Sequence, residues 1–482
     1  MAVAEQSGNE RVLAPQTVPA AGPALASLSL ATLLASLGTS SASVALPSLT
    51  QAFGASFQSV QWVVLAYLLA ITTLIVSAGR LADMFGRRPL LLGGIALFTM
   101  ASVLCGLAPT LWLLIAARAM QGLGAALMMA LTLAFVTETV AKEKTGRAMG
   151  LLGAMSAIGT TLGPSLGGLL IAGFGWRAIF LINVPLGLVT FALAWLALPA
   201  RDKAATDQGR FDAVGTALLA LTLAAYALAM TLGSGHFGAL NIGLLISAGI
   251  GVVLFAIAQT KVKNPLIRLA GLYDIRLTAS LAMNLVVATV MMATLVVAPF
   301  YLSRGLGLDA AMVGVVLSTG PLVSALSALI AGRLTDRFGA HRMMVAGLVS
   351  LTSGIFLLSL AMTNLGIASY VGPIAVTCFG YALFQTANNA AVMSGVGTGE
   401  RGVVSGLLNM SRNLGLITGA SLMGAVFAVA SAGGQDMPPS AAAAYGMQVT
   451  FQVATGLAIF ALIVALLSAR SASRSPSSRQ EA

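Results

Sequence analysis

The chain has 482 residues, 58% of them apolar and only 8% charged, with a mean hydropathy of +0.95. A soluble domain is about half apolar and about a quarter charged, and no soluble core of this length hides so much apolar surface, so a soluble fold is excluded. The formal net charge of +11 invites a nucleic-acid partner, a reading that the placement of the charge removes.

Spanning a bilayer takes roughly 20 mainly apolar residues per helix. The apolar runs predict fourteen spanning helices, at roughly 24–46, 58–79, 90–108, 111–136, 147–172, 178–199, 212–233, 240–260, 277–302, 311–333, 342–362, 367–394, 402–431 and 447–469. A transmembrane barrel would alternate apolar and polar residues over ~10-residue segments, whereas these runs are continuous. With the N-terminus in the cytoplasm, all but four of the 25 basic residues fall in cytoplasmic segments. Arg177 and Arg304 lie on the other side, and Arg118 and Arg412 lie inside spans. This is the positive-inside pattern. It puts both termini in the cytoplasm and makes the basic excess a matter of topology, with no nucleic-acid partner.

The first ~22 residues lack a basic region followed by a short apolar core and a cleavage site, so the first span is expected to act as an uncleaved insertion signal. That span contains "LGTSSASVALP", residues 37–47. The second span carries Trp62 and Tyr67 and runs into "GRLADMFGRRPLLL", Gly79 to Leu92, where Arg80, Asp83, Arg87 and Arg88 crowd together. Gly79 and Gly86 are expected to permit a tight turn there. Asp83 can accept hydrogen bonds from Arg87 and from the free N–H groups at a helix start in the other half, which would clamp the halves on the cytoplasmic side. Charge needed for topology alone explains the arginines but not the Asp and Gly spacing.

The fourth span holds Arg118 in "LLIAARAMQGLG", with Gln121 one turn on and nearly on the same face. A cation within a span costs ~2.5–3.5 kcal/mol on insertion scales, so Arg118 either bonds helix-end carbonyls or has a functional role. In the fifth span Gly150, Gly159, Gly163, Gly167 and Gly168 lay small residues along one face, allowing close helix approach, and Pro164 invites a kink. Trp112 and Trp176 sit where interfacial anchors belong.

A polar stretch at 201–212 links the first six spans to an extra pair at 213–262. In the second half, Asn284, then Gln385, Asn388 and Asn389, are amides in otherwise apolar runs. They either line a solute cavity, with Trp62 and Tyr67, or bond neighbouring helices. Arg412 is a second intramembrane cation, close enough to the surface to snorkel. The tail from 471 onward is polar and of low complexity, and is expected to be disordered.

Two motifs repeat. "GRLTDRFGAHRMM", Gly332 to Met344, echoes the charged stretch 253 residues later, and Gly150, Gly159, Gly163 and Gly168 match Gly406, Gly415, Gly419 and Gly424 at an offset of 256. Pro164 and Gly167 become Ala420 and Met423. The repeats predict two homologous six-helix halves, 23–200 and 276–470, with the extra pair between them and tails at 1–22 and 471–482. Parallel halves of this kind are an architecture of secondary transporters.

These residues resemble the major facilitator superfamily. Its signature Gly-x-Leu-Ala-Asp-x-x-Gly-Arg-Arg/Lys is present at Gly79–Arg88, and Gly332–Arg342 keeps the Gly, Asp and Gly with a different final Arg spacing. Arg118, Gln121, Gly122, Gly124 and Ala125 match Arg-x-x-Gln-Gly-x-Gly-Ala. The glycine series with Pro164 matches the antiporter motif, and "GWRAIFLINVPLG", Gly175 to Gly187, resembles the mark of the fourteen-span drug:proton antiporters. The resemblance covers the whole chain. It implies an all-α fold of two six-helix bundles plus two central helices. It implies a latch made of the first signature and its copy at Arg333, Asp336, Arg337, Gly339 and Arg342, proton coupling through Arg118 with Gln121, and a pivot at the antiporter glycines. One departure stands out. Where that branch writes an Asp in its first helix this chain has Gly38, and Ser43 replaces the Asn.

All fourteen acidic residues fall in tails, loops or helix ends. A proton-driven exporter of cations uses a mid-membrane acid both to carry the proton and to attract the substrate. The substrate is therefore expected to be a neutral or anionic small organic molecule, moved outward with proton coupling across a bacterial-type inner membrane. The alternative is uptake of a nutrient such as a riboflavin-like vitamin. Cys105 and Cys378 read as packed thiols, with no metal spacing. The only histidines, His236 and His341, lie in loops on opposite faces, so a membrane-embedded enzyme lacks its constellation. No loop is long enough for a receptor's signalling domain, and no phosphate-cradling loop points to ATP. No cofactor or metal is expected, and the chain is expected to work as a monomer in the lipid bilayer.

Overall fold

In lipid every backbone polar group must be satisfied within its own segment, so long apolar runs become helices. The computed structural model describes residues 21–139, 145–198, 212–232, 238–262, 275–360, 365–394, 401–433 and 437–473, and their long elements are all helical. In the numbering used here, the N-terminal bundle is α1 (Ala21–Phe53), α2 (Phe57–Phe85), α3 (Arg87–Leu107), α4 (Leu111–Thr139), α5 (Thr145–Phe174) and α6 (Ala178–Ala197). The extra pair is α7 (Ala213–Thr231) and α8 (Ala239–Lys261). The C-terminal bundle is α9 (Ile275–Gly305), α10 (Ala310–Phe338), α11 (Ala340–Ser359), α12 (Ala368–Ser394), α13 and α14 (Pro439–Ser473). α13 joins Arg401–Thr418, a π turn at Gly419–Met423, and Gly424–Ala432. Thirteen of the fourteen described spans are long and apolar enough to cross a membrane; α12 has the length but carries Gln385, Thr386, Asn388 and Asn389. Of the expected tails and linker, residues 1–20, 201–211 and 474–482 lie outside the described residues, whereas 21–22 open α1, Asp212 caps α7 and α14 runs on through Ser473.

The bundles are built alike. α1 packs on α5 as α9 packs on α13, α2 on α4 as α10 on α12, and α3 on α4 as α11 on α12. The bundles meet at two related crossings, α5 with α10 and α13 with α2. α7 lies along the second crossing, touching both α2 and α13, and pairs with α8 outside it. Trp62 Nε1 donates to Thr231 Oγ1 at 3.1 Å and Ser77 shares a hydrogen bond of 2.9 Å with Thr216, fixing α7 to α2 at both ends.

The charged repeat is a repeat of conformation. Gly86 has φ 88° and ψ 142°, Gly339 has φ 86° and ψ 144°, and each N–H closes the preceding helix, onto Ala82 and Thr335 oxygens. A left-handed φ suits glycine and strains other residues. The expectation that Gly79 shares in the turn is corrected. Gly79 lies within α2, which continues through the charged stretch to Phe85 because nothing breaks it before Gly86. The second repeat is also structural. Cβ atoms on Gly159 and Gly163 would meet Leu33, Ser36 and Ser40 of α1, while those on Gly415 and Gly419 would meet Leu285, Ala288, Thr289 and Met292 of α9. Where α5 has Pro164, α13 has Ala420 inside its π turn, so both helices are irregular at the same place by different means.

Candidate functional site

Arg118 is 0% exposed. It rises from α4 into the N-terminal bundle, where its Nε donates to the Val63 oxygen of α2 at 2.9 Å and its Nη1 donates to Gln121 Oε1. Gln121 in turn donates to Ser102 Oγ of α3 at 2.7 Å. The guanidinium lies 4.1 Å from the centroid of the Tyr67 ring, and the Tyr67 hydroxyl donates to the Ala35 oxygen of α1 at 2.9 Å. One connected network thus ties the first four helices. Charged hydrogen bonds contribute about 1.5–3 kcal/mol each and a desolvated cation–π contact about 2. Together these offset the insertion cost of the cation without any carboxylate. The Arg118 Nη2 has no protein partner.

The glycines beside Arg118 make the network possible. A Cβ on Gly122 would collide with the Tyr67 backbone, and one on Gly124 would come within 2.7 Å of Gly94 O and Phe98 N, so α4 is drawn against both α2 and α3. Gly38 completes the picture. A Cβ there would lie 3.1 Å from Phe98 Cζ and 3.2 Å from Tyr67 Oη, so a ring and a phenol fill the space at that position.

In the C-terminal bundle, Asn284 donates to the Leu408 oxygen of α13 at 2.9 Å, a bond between helices. Asn388 is fully buried with neither amide atom partnered, and Gln385, one turn earlier on α12, has an unpartnered Oε1. Between these amides and the Gly339 face lies an apolar plug of Val392, Val404 and Leu408 with Leu277 and Leu281 against it. Asn284 lies one turn beyond Leu281, and Asn388 one turn before Val392 on a helix of opposite direction. Asn284 and Asn388 therefore each lie about one turn above the plug, and Gln385 one turn further. Asn389 and Arg412 are exposed. Trp62 faces α7 and Tyr67 faces Arg118, so both are engaged in packing.

Among the described residues, the following ring contacts, bonds and close approaches join the bundles near the face opposite the Gly86 and Gly339 turns. Phe57 of α2 meets Phe300 of α9 at 4.7 Å and Phe427 of α13 at 5.3 Å between ring centroids. Arg304 donates to Thr50 Oγ1 at 3.2 Å. Gly168 of α5 lies against Ala310 and Gly314 of α10, and Gly424 of α13 against Gln61 of α2. That face is sealed. A cavity of about 260 Å³ remains within it, lined by Val44, Pro47, Ser48, Gln51, Ser303 and Asp309 among others. On the other face, Arg88 donates to the Trp195 oxygen of its own bundle at 2.6 Å, and Arg87 is half-buried. Asp336, Arg333, Arg337 and Arg342 are exposed and form no ion pair among the described residues, and Arg337 lies over the Phe338 ring. The side chains of Arg80 and Asp83, and the surroundings of Gly79 and Gly150, lie outside the described residues. A Cβ on Gly167 would lie 3.4 Å from Ser41 O, and one on Gly314 would overlap the Pro164 oxygen.

The model of the Major Facilitator Superfamily matches residues 28–420 and 279–482. The chain belongs to that superfamily. Multidrug resistance protein Stp of Mycobacterium tuberculosis is 32% identical over 390 residues, covering 80% of this chain and 72% of that one. Riboflavin transporter RibZ of Clostridioides difficile is 30% identical over 399 residues, covering 82% and 86%. An inward-facing bacterial homologue of the human lysosomal transporter Spinster superposes with a TM-score of 0.69 over 94% of this chain and 97% of that one, at 14% identity. The D-xylose-proton symporter gives 0.66 over 92% and 97%, at 13%.

As a superfamily member the chain is a multi-pass membrane transporter of small solutes. The expected site residues divide among the interior, the sealed face and the basic rim. Sequence reading missed Gln61, Phe57, Phe300 and Phe427, which make the seal. An aromatic or amide at a span end carries no signal until its partner across the bundle interface is known. Trp176 is a correction: it is buried against Phe53 at 5.3 Å and Phe180 at 6.3 Å, whereas Trp112, 75% exposed, stands at the surface as expected of an anchor.

Proposed function

We propose that this transporter exports a neutral or anionic small organic solute by alternating access, coupled to protons, from the cytoplasm across a bacterial inner membrane. The basic rim at Gly86 and Gly339 is then cytoplasmic, both termini lie on that side, and the protein works as a monomer. One observation carries the substrate class: the only charged side chain fully buried within a span, among the described residues, is a cation, Arg118. The acids in described helices, Asp83, Glu138 and Asp336, each lie within a turn of a helix end. A cationic solute would meet Arg118 with no compensating carboxylate, whereas a neutral or anionic one would not.

Asn284, Gln385 and Asn388 are the solute contacts in this reading, since amides offer both donors and acceptors. Asp83 and Asp336 with their arginines latch the basic rim when the opposite face opens. The glycines of α5 and α13 are the pivots, and Arg118 with Gln121 links proton movement to the cycle. The outward direction is supported by the likeness to a multidrug resistance protein and by the intact antiporter glycines. A second reading, uptake of a neutral nutrient, is favoured by Gly38 and by the likeness to a riboflavin transporter. Flux in proteoliposomes of riboflavin, a fluorescein-type anion and ethidium, with and without a pH gradient, tests both. Gradient-driven movement of the neutral or anionic dye is expected, with its KM raised about tenfold or more in Asn388→Leu. Strong ethidium efflux would overturn the substrate class.

A further inference from the structure

The two crossings that join the bundles are related by the internal repeat, yet they are not chemically equal. At α5–α10, Gly168 meets Gly314, and the contact is backbone on backbone. The repeat carries Gly168 to Gly424 and Gln61 to Gly314, so the α13–α2 crossing sets Gly424 against Gln61. A Cβ on Gly424 would overlap Gln61 Nε2 and lie 2.8 Å from its Cδ. Gln61 is 0% exposed, and neither Nε2 nor Oε1 has a hydrogen-bond partner. Its surroundings explain why. Phe57, one turn earlier, is held between Phe300 and Phe427, and α7 covers the seam, tied to α2 by Trp62, the next residue.

A primary amide shut away from water without a partner destabilises the state that encloses it. The same amide is hydrated once α2 and α13 part, so the cost exists only while the face is sealed. We infer that Gln61 is a built-in opener of the sealed mouth: it weakens the α2–α13 crossing so that this seam parts first, ahead of the glycine-on-glycine α5–α10 crossing. Gln61 thereby sets the population of the state open on that face, and through it the rate of the transport cycle. The inference requires alternating access but no knowledge of the solute.

The test uses the full chain in lipid nanodiscs, with Cys105 and Cys378 replaced by serine and spin labels on two helix-end pairs. Gln58 and Ala432 report the α2–α13 seam, and Phe174 and Met312 report the α5–α10 seam. Gln61→Met keeps most of the side-chain volume and removes the amide. The parted fraction at Gln58–Ala432 is expected to fall about tenfold, the usual scale for one unpartnered polar group. Gly424→Ala, which crowds the amide further, is expected to raise it, and the Phe174–Met312 distance is expected to broaden less than the Gln58–Ala432 distance in both. Equal parted fractions in the starting protein and both folded variants would overturn the inference, and so would a seam that opens first at Phe174–Met312.

Discussion

Gly168→Ala is the most direct perturbation of the sealed state. The new methyl would overlap the Ala310 oxygen and lie 2.9 Å from Gly314 Cα and 3.1 Å from Gly314 N. Carbon atoms rest near 3.5–4.0 Å, so α5 and α10 must part by about 1 Å at their crossing. Overpacking of this kind costs about 1–3 kcal/mol. The penalty falls only on the state in which the helices touch. At about 1.4 kcal/mol per tenfold change, the equilibrium shifts roughly 5- to 150-fold away from the sealed conformer. The reporter is a cysteine at Ser48, on the wall of the 260 Å³ cavity, labelled by a membrane-impermeant maleimide from the sealed side after Cys105 and Cys378 are made serine. Faster labelling is expected for Gly168→Ala and for Gly314→Ala, whose methyl would overlap the Pro164 oxygen from the other side. Gly163→Ala crowds Ser40 within one bundle, so it should lower thermal stability without changing labelling. If both crossing variants insert properly and label at the unaltered rate, the close glycine contact does not control the seal.

Other outcomes follow from the interior and the rim. Arg118→Lys keeps the charge, but one amine cannot bond Val63 and Gln121 while lying over Tyr67, so gradient-driven flux should fall at least tenfold. Arg118→Met leaves Gln121 Oε1 unpartnered, the Val63 oxygen keeping its bond within α2, and should also lower the melting temperature by a few degrees, about 1–3 kcal/mol for that acceptor; unchanged flux in the lysine variant would remove Arg118 from coupling. Gly38→Asp sets a carboxylate beside the Tyr67 hydroxyl and should create pH-dependent ethidium efflux; if dye selectivity stays fixed, the absent acid is not what excludes cations. Asp83→Asn with Asp336→Asn should lengthen the time spent open toward the basic rim and slow turnover. Flux and accessibility equal to the starting protein would refute the latch.

How much could be read in advance depends on how local each signal is. Arg118 and Gln121 were legible because a cation in a span is costly wherever it stands, and Gly122 and Gly124 were legible through the motif they complete. Gly86 was legible as a turn residue, but Gly79 was not separable from it, because glycine content alone does not say which of two glycines seven residues apart takes the left-handed φ. The amides of α12 were visible as exceptions in an apolar run. That Asn284 is committed to Leu408 while Asn388 is unpartnered depends on which helix lies opposite.

The sequence by itself determined the number of spans, their two-fold repetition and the chemical scarcity of the interior, because hydropathy, charge placement and offset are properties of a chain read in one dimension. Tertiary structure alone decided which face is shut, that a phenol and a ring occupy the space at Gly38, and that Gln61 is enclosed at the crossing of α2 and α13. Those features arise between residues hundreds of positions apart, where contact is set by how whole helices cross.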